Sequence, residues 1–230
     1  MPWDFLLIFF VFTVIVPWRG WARMQRLLAL PSVTGSDRIR LYLTSIASQW
    51  AFSALIAWRA FARGLRWTDV GFKFQPAATL LLVGFAGAGL LGLAHWFNLR
   101  RVSRSSNPQV ERLRALATKI FPHSDLEAAL FSGLGGTAGI CEEFLYRGFV
   151  FASLAHVPVP TWGILLISSV LFGLAHAYQG RGGIVGTLVL GTVFGSVRIL
   201  YDSVFPVILW HIAVDVVAGF AGRRYLIENK

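Results

Sequence analysis

The chain is short of what a soluble protein needs. Of its 230 residues only 14% are charged and one is a cysteine, whereas an ordinary soluble domain is about 25% charged. Cys141 has no second cysteine to pair with, so an internally disulfide-stapled scaffold is excluded. With 56% apolar and aromatic residues, an intrinsically disordered chain is excluded too. No polar stretch is long enough for a soluble domain, since the longest, at roughly 98–126, is short and basic.

Long apolar runs take the place of those missing features. No charge occurs between Leu41 and Trp58, and between Ala77 and Leu99 only His95 can titrate. A helix crossing hydrocarbon needs about 20 such residues, and a soluble core helix seldom does. The sequence therefore reads as an all-α, polytopic transmembrane helix bundle of about seven helices. They fall at roughly 4–18, 40–61, 77–97, 127–152, 160–178, 184–200 and 205–222. Phe5–Val16 is expected to be a retained first helix and not a signal peptide. Asp4 stands where a positive n-region belongs, and Pro17-Trp18-Arg19 offers no cleavage site. Residues 18–36 suit either a surface-lying amphipathic helix or a loop.

The net charge of +10 has its source between the apolar runs. Arg19, Arg23, Arg26, Arg38 and Arg40 fall in the first connection. Arg100, Arg101, Arg104, Arg112, Arg114 and Lys119 fall in the third, Arg181 in the fifth, and Arg223, Arg224 and Lys230 in the tail. Only Arg63, Arg66 and Lys73 fall on the other side. The positive-inside rule then predicts an outer N-terminus and a cytoplasmic C-terminus. The lipid bilayer, and not nucleic acid, accounts for the basic balance. Tryptophans at 3, 18, 58, 67, 96 and 162 stand near helix ends, as interfacial anchors do. Gly135-x-x-x-Gly139 and Gly191-x-x-x-Gly195 predict close helix packing.

Ionisable residues inside a membrane are costly and tend to mark function. Here they concentrate in the C-terminal half, as Glu142, Glu143 and Arg147, then His176, then His211 and Asp215. His95, His123 and His156 have no such company and read as packing residues. Glu143 and Arg147 are i, i+4 with the acid first, a favourable ion-pair order. That pairing leaves Glu142 as the uncommitted carboxylate, pointing about 100° away from its neighbour. His211 and Asp215 also share a helix face. A free carboxylate and two histidines in a dry cavity are ingredients for activating water. Straight helices set His176 roughly 24 Å and His211 roughly 9 Å from the same membrane face. Either the boundaries differ, or the glycine-rich stretches 133–139 and 180–183 break the helices.

The ordered set Glu-Glu-x-x-x-Arg (Glu142, Glu143, Arg147), Phe-x-x-x-His (Phe172, His176) and His-x-x-x-Asp (His211, Asp215) resembles the CAAX protease and bacteriocin-processing family, also called Abi. The resemblance implies a metal-free, glutamate-type intramembrane endopeptidase hydrolysing a peptide bond near the membrane surface. It implies that Glu142 with His176 activates the water. His211 and Asp215 would stabilise the oxyanion, with Glu143 and Arg147 holding Glu142 in place. Many family members carry asparagine where this chain has Asp215. That residue is therefore either an oxyanion donor when protonated or an orienting partner of His211 when ionised. The implied organisation is 1–126 as N-terminal membrane helices and basic connections, 127–222 as the catalytic core of four helices, and 223–230 as a basic tail. Partners would be the bilayer and a peptide or protein substrate, lipidated or membrane-anchored. No cofactor is expected. A zinc protease with Glu142, His176 and His211 as a His₂Glu site is the first alternative. A non-catalytic immunity or scaffold protein of the same fold is another, and a transporter or channel is the least favoured. Arginine outnumbers lysine 18 to 3, which suits a bacterial inner membrane.

Overall fold

The computed structural model describes residues 1–105 and 108–228, so Lys230 of the basic tail lies outside the described residues. Among the described residues there are eight helices and no strand. Helix α1 is Trp3–Ala29, α2 Gly35–Ala62, α3 Ala77–Val102 and α4 Pro108–Ile120. Helix α5 runs over 125–154, α6 is Thr161–Ala175, α7 Arg181–Tyr201 and α8 Phe205–Glu228.

Four of these, α1, α3, α7 and α8, are long and apolar enough to cross a bilayer, and the chain is an integral membrane protein. The other three segments expected to cross differ for identifiable reasons. Helix α2 carries Thr44, Ser45, Ser48 and Gln49 in its uncharged run. Helix α5 carries Glu142, Glu143 and Arg147, and α6 has only 15 residues. In α2 and α5 these polar and charged residues lower the apolar content, whereas α6 is apolar and simply shorter. By contrast Leu82 and Leu90 of α3 and Leu200 of α7 are largely exposed and suit contact with lipid.

Local chemistry sets several helix ends. Thr34 and Asp37 form a reciprocal capping box that starts α2. Ser124 accepts the amide of Glu127 at the start of α5. Pro17 has no N–H to donate, and the π turn Val11–Ile15 lies just before it, so α1 continues without stopping. Residues 18–29 are thus a helical extension of α1, neither a separate surface helix nor a loop. Helix α4 occupies the connection expected to be merely polar.

The connections gather at two ends. At one end Lys119 donates to the carbonyls of Leu27 and Leu28, the buried pair Arg38–Glu127 joins α2 to α5, and Arg223 meets Asp125. At the other end Asp4 meets Arg59 and Arg63, the Val204 amide donates to Gly71, and Arg198 reaches the Asp69 carbonyl. The helices other than α4 alternate direction between these ends.

Helix α5 is central. Its second half, Phe144–Leu154, is buried almost throughout and packs on Phe5 and Phe12 of α1, Ile56 of α2 and Leu171 and Phe172 of α6. Both glycine pairs mark close approaches. A Cβ on Gly139 would stand 2.5 Å from the Ile212 side chain and 3.1 Å from the Ile208 carbonyl of α8. One on Gly191 would stand 3.0 Å from the Arg147 guanidinium and 3.3 Å from the Ser169 backbone.

Candidate active site

The residues singled out in the sequence converge where α5, α6 and α8 meet. The π turn Phe144–Phe149 begins directly after Glu142 and Glu143. Such turns widen a helix locally and often occur at functional sites. Helix α6 stops at Ala175, so His176 stands at its end, followed by the short turn Ala177–Gln179 and Gly180 with φ +84°. At that φ glycine is the least strained residue. The glycine-rich stretch 133–139 stays helical, so the only break of the two expected is the one near 180.

Phe172 is the hub. Its ring centroid lies 4.7 Å from that of His176, 5.8 Å from that of His211 and 5.3 Å from that of Tyr146. The Arg147 guanidinium lies over the same ring at 4.3 Å. The two histidines therefore flank one side chain, closer than straight-helix arithmetic allowed.

Each of the adjacent glutamates faces its own histidine. Glu143 and Arg147 are fully buried and hydrogen-bonded at 3.0 Å. The same Glu143 oxygen, Oε1, accepts from His211 Nδ1 at 2.8 Å. His211 Nε2 lies 3.7 Å from Asp215 Oδ2, beyond hydrogen-bond length. His211 is thus held by Glu143 more closely than by its helix neighbour Asp215.

Glu142 lies on the more accessible side of this cluster, and Glu143 and Arg147 do not hold it by hydrogen bonds. Its Oε1 accepts a hydrogen bond from Gln49 Nε2 of α2 at 3.1 Å. Its Oε2 is buried without a hydrogen-bond partner and lies 4.0 Å from His176 Nε2. His176 Nδ1 donates to the Phe172 carbonyl at 2.8 Å, since a carbonyl can only accept. In the neutral ring Nε2 then carries the lone pair and faces the free oxygen of Glu142. A separation of 4.0 Å is too long for a direct hydrogen bond and lets one water touch both groups.

Gln49 carries no charge, so charge patterning in the sequence does not single it out. A lone amide inside the uncharged run Leu41–Trp58 was the available signal. Phe194, which no motif marks, also packs here, with its ring centroid 6.0 Å from that of His211 and 5.6 Å from the Arg147 guanidinium. The zinc alternative needs Glu142, His176 and His211 on one ion. Among the described residues no group of three or more histidine, cysteine or acidic side chains is disposed to hold one.

Residues 124–217 match the family described as Type II CAAX prenyl endopeptidase Rce1-like. No curated protein and no solved structure matches the chain.

Proposed function

Because residues 124–217 match the Rce1-like type II CAAX prenyl endopeptidase family, we propose that the chain is an intramembrane endopeptidase of that family in which Glu142 is the general base. The observation that carries this reading is the pairing of the partnerless Glu142 Oε2 with His176 Nε2 at 4.0 Å, beside a second glutamate already committed to Arg147 and His211. A water held between Glu142 and His176 attacks the scissile carbonyl carbon and passes a proton to the carboxylate. The carbonyl oxygen takes the developing negative charge, and His211 or Asp215, when protonated, donates to it. The tetrahedral species collapses as the C–N bond breaks, and the proton held by Glu142 or His176 goes to the leaving amine. Glu143 and Arg147 position His211, and Gln49 positions Glu142.

The substrate is a peptide or protein that reaches the site from the membrane, anchored or lipidated. The catalytic core corresponds to 127–222, with Gln49 added from the N-terminal helices. The asymmetric distribution of basic residues supports an outer N-terminus and a cytoplasmic C-terminus, and the excess of arginine over lysine suits a bacterial inner membrane.

Comparative proteomics of cells carrying the wild type against Glu142→Gln tests the reading. Precursors should accumulate uncleaved in the variant, matching a loss of about 10²–10⁴-fold in a general-base contribution. Full retention of the biological effect in the variant would favour the non-catalytic reading. Loss of cleavage on chelation, restored by zinc, would favour the His₂Glu reading.

A further inference from the structure

A cavity lies away from the site, at the end of the bundle where Asp4, Arg59 and Arg63 meet. Its volume is about 860 Å³, within the range of small-molecule sites. The three basic residues on the sparsely charged side of the chain, Arg63, Arg66 and Lys73, all line it. Arg198 of α7, only 7% exposed, lines it as well.

Cations outnumber carboxylates here. Asp4 serves both Arg59 and Arg63, and Asp202 serves both Lys73 and Arg198. Among the described residues Asp69 pairs with Arg66 alone, whose side chain is 79% exposed. Burial pushes the Asp202 carboxyl up, but the hydrogen bonds from Lys73 and Arg198 outweigh it and hold the group below its ordinary range. The backbone amide of Arg66 and its side chain do the same for Asp69. Both acids are therefore ionised at neutral pH, and four lining cations, Arg63, Arg66, Lys73 and Arg198, still face two lining carboxylates, Asp69 and Asp202.

The walls are apolar, with Phe5, Leu65, Phe151 and Ile164. Trp3, Trp67 and Trp162, each close in sequence to a lining residue, are exposed at 70%, 57% and 70%. Exposed tryptophans of this kind sit at headgroup level. A cavity at that level with a cationic excess and apolar walls matches a ligand with a phosphate on an acyl-bearing body. We propose that this cavity binds the headgroup of an anionic phospholipid, with the phosphate between Arg66, Lys73 and Arg198 and the upper acyl chains along the apolar wall.

The test uses the full chain in neutral detergent, titrated with phosphatidylglycerol, phosphatidylcholine or sn-glycerol 3-phosphate and followed by melting temperature. Phosphatidylglycerol should raise the melting temperature saturably, and the other two should not. Arg66→Gln combined with Lys73→Gln should weaken that response at least about tenfold. Arg100→Gln combined with Arg101→Gln, at the opposite end, should leave it unchanged. A diazirine-bearing phosphatidylglycerol should crosslink to 63–73 or 151–164, a readout that needs no variant to fold. The proposal is overturned if phosphatidylcholine acts equally, if glycerol phosphate alone reproduces the shift, if the first double variant responds as wild type, or if crosslinks fall only at the opposite end.

Discussion

Oε1 of Glu143 accepts from two donors, Arg147 and His211, and neither Glu143 nor Arg147 is exposed to solvent. Removing that carboxylate would leave a buried guanidinium and imidazole without their shared acceptor. Orphaning a buried charge costs about 3–5 kcal/mol. Glu143→Ala should therefore lower the detergent melting temperature markedly, while Glu142→Gln should melt near wild type because an amide oxygen can still accept from Gln49. Equal melting of the two would mean that the carboxylates have been assigned the wrong way round. Asp215 invites a different expectation. His211 is already oriented by the 2.8 Å contact with Glu143, while Asp215 stands 3.7 Å away. An orienting role for Asp215 is thus redundant, and a donor role could be filled equally by an amide. Asp215→Asn should keep its cleavage rate within a few-fold of wild type across pH. A deep, pH-independent loss in the rate profile would restore the orienting role.

The contact between α5 and α8 brings Glu143 to His211, and it depends on an absent side chain. Gly139 lies one turn before Glu143, against the Ile208 carbonyl and Ile212 amide that flank His211. A methyl group there meets backbone that cannot rotate aside, so the helices must separate. Overpacking of this kind costs about 1–3 kcal/mol. Gly139→Ala should lower both melting temperature and cleavage. Gly136→Ala meets nothing within 4 Å and gains helix propensity, so it should melt at or slightly above wild type. Matching melting curves for the two alanine variants would remove the close approach as the device that aligns the site.

Across the whole molecule, connections segregate to two ends, and the basic ones crowd at one of them. This predicts a topology that labelling can read. Cys141 is buried, so it offers little background to a membrane-impermeant thiol reagent. In intact cells a cysteine replacing exposed Thr68 should be labelled, and one replacing exposed Ser36 should be labelled only after permeabilisation. The reverse pattern would invert the proposed orientation.

Membrane residence, the helical class and the seven ionisable or aromatic residues that converge between α5, α6 and α8 are legible in the sequence. They depend on local composition and on i, i+4 spacing, which a helix imposes whatever surrounds it. The i, i+4 pair Glu143–Arg147 formed as its spacing required. Which histidine serves which glutamate was not legible, because that depends on how closely α5 and α8 approach and how the π turn re-aims the chain after Glu143. Gln49 was hidden for the same reason: it lies 93 residues from Glu142, and only the packing of α2 on α5 gives its amide a carboxylate to hold. The convergence of Arg63, Arg66 and Lys73 on one cavity with Arg198 was equally a tertiary matter. Sequence order separates Lys73 from Arg198 by most of the chain, and the turn that joins α7 to α8 brings them to the same Asp202.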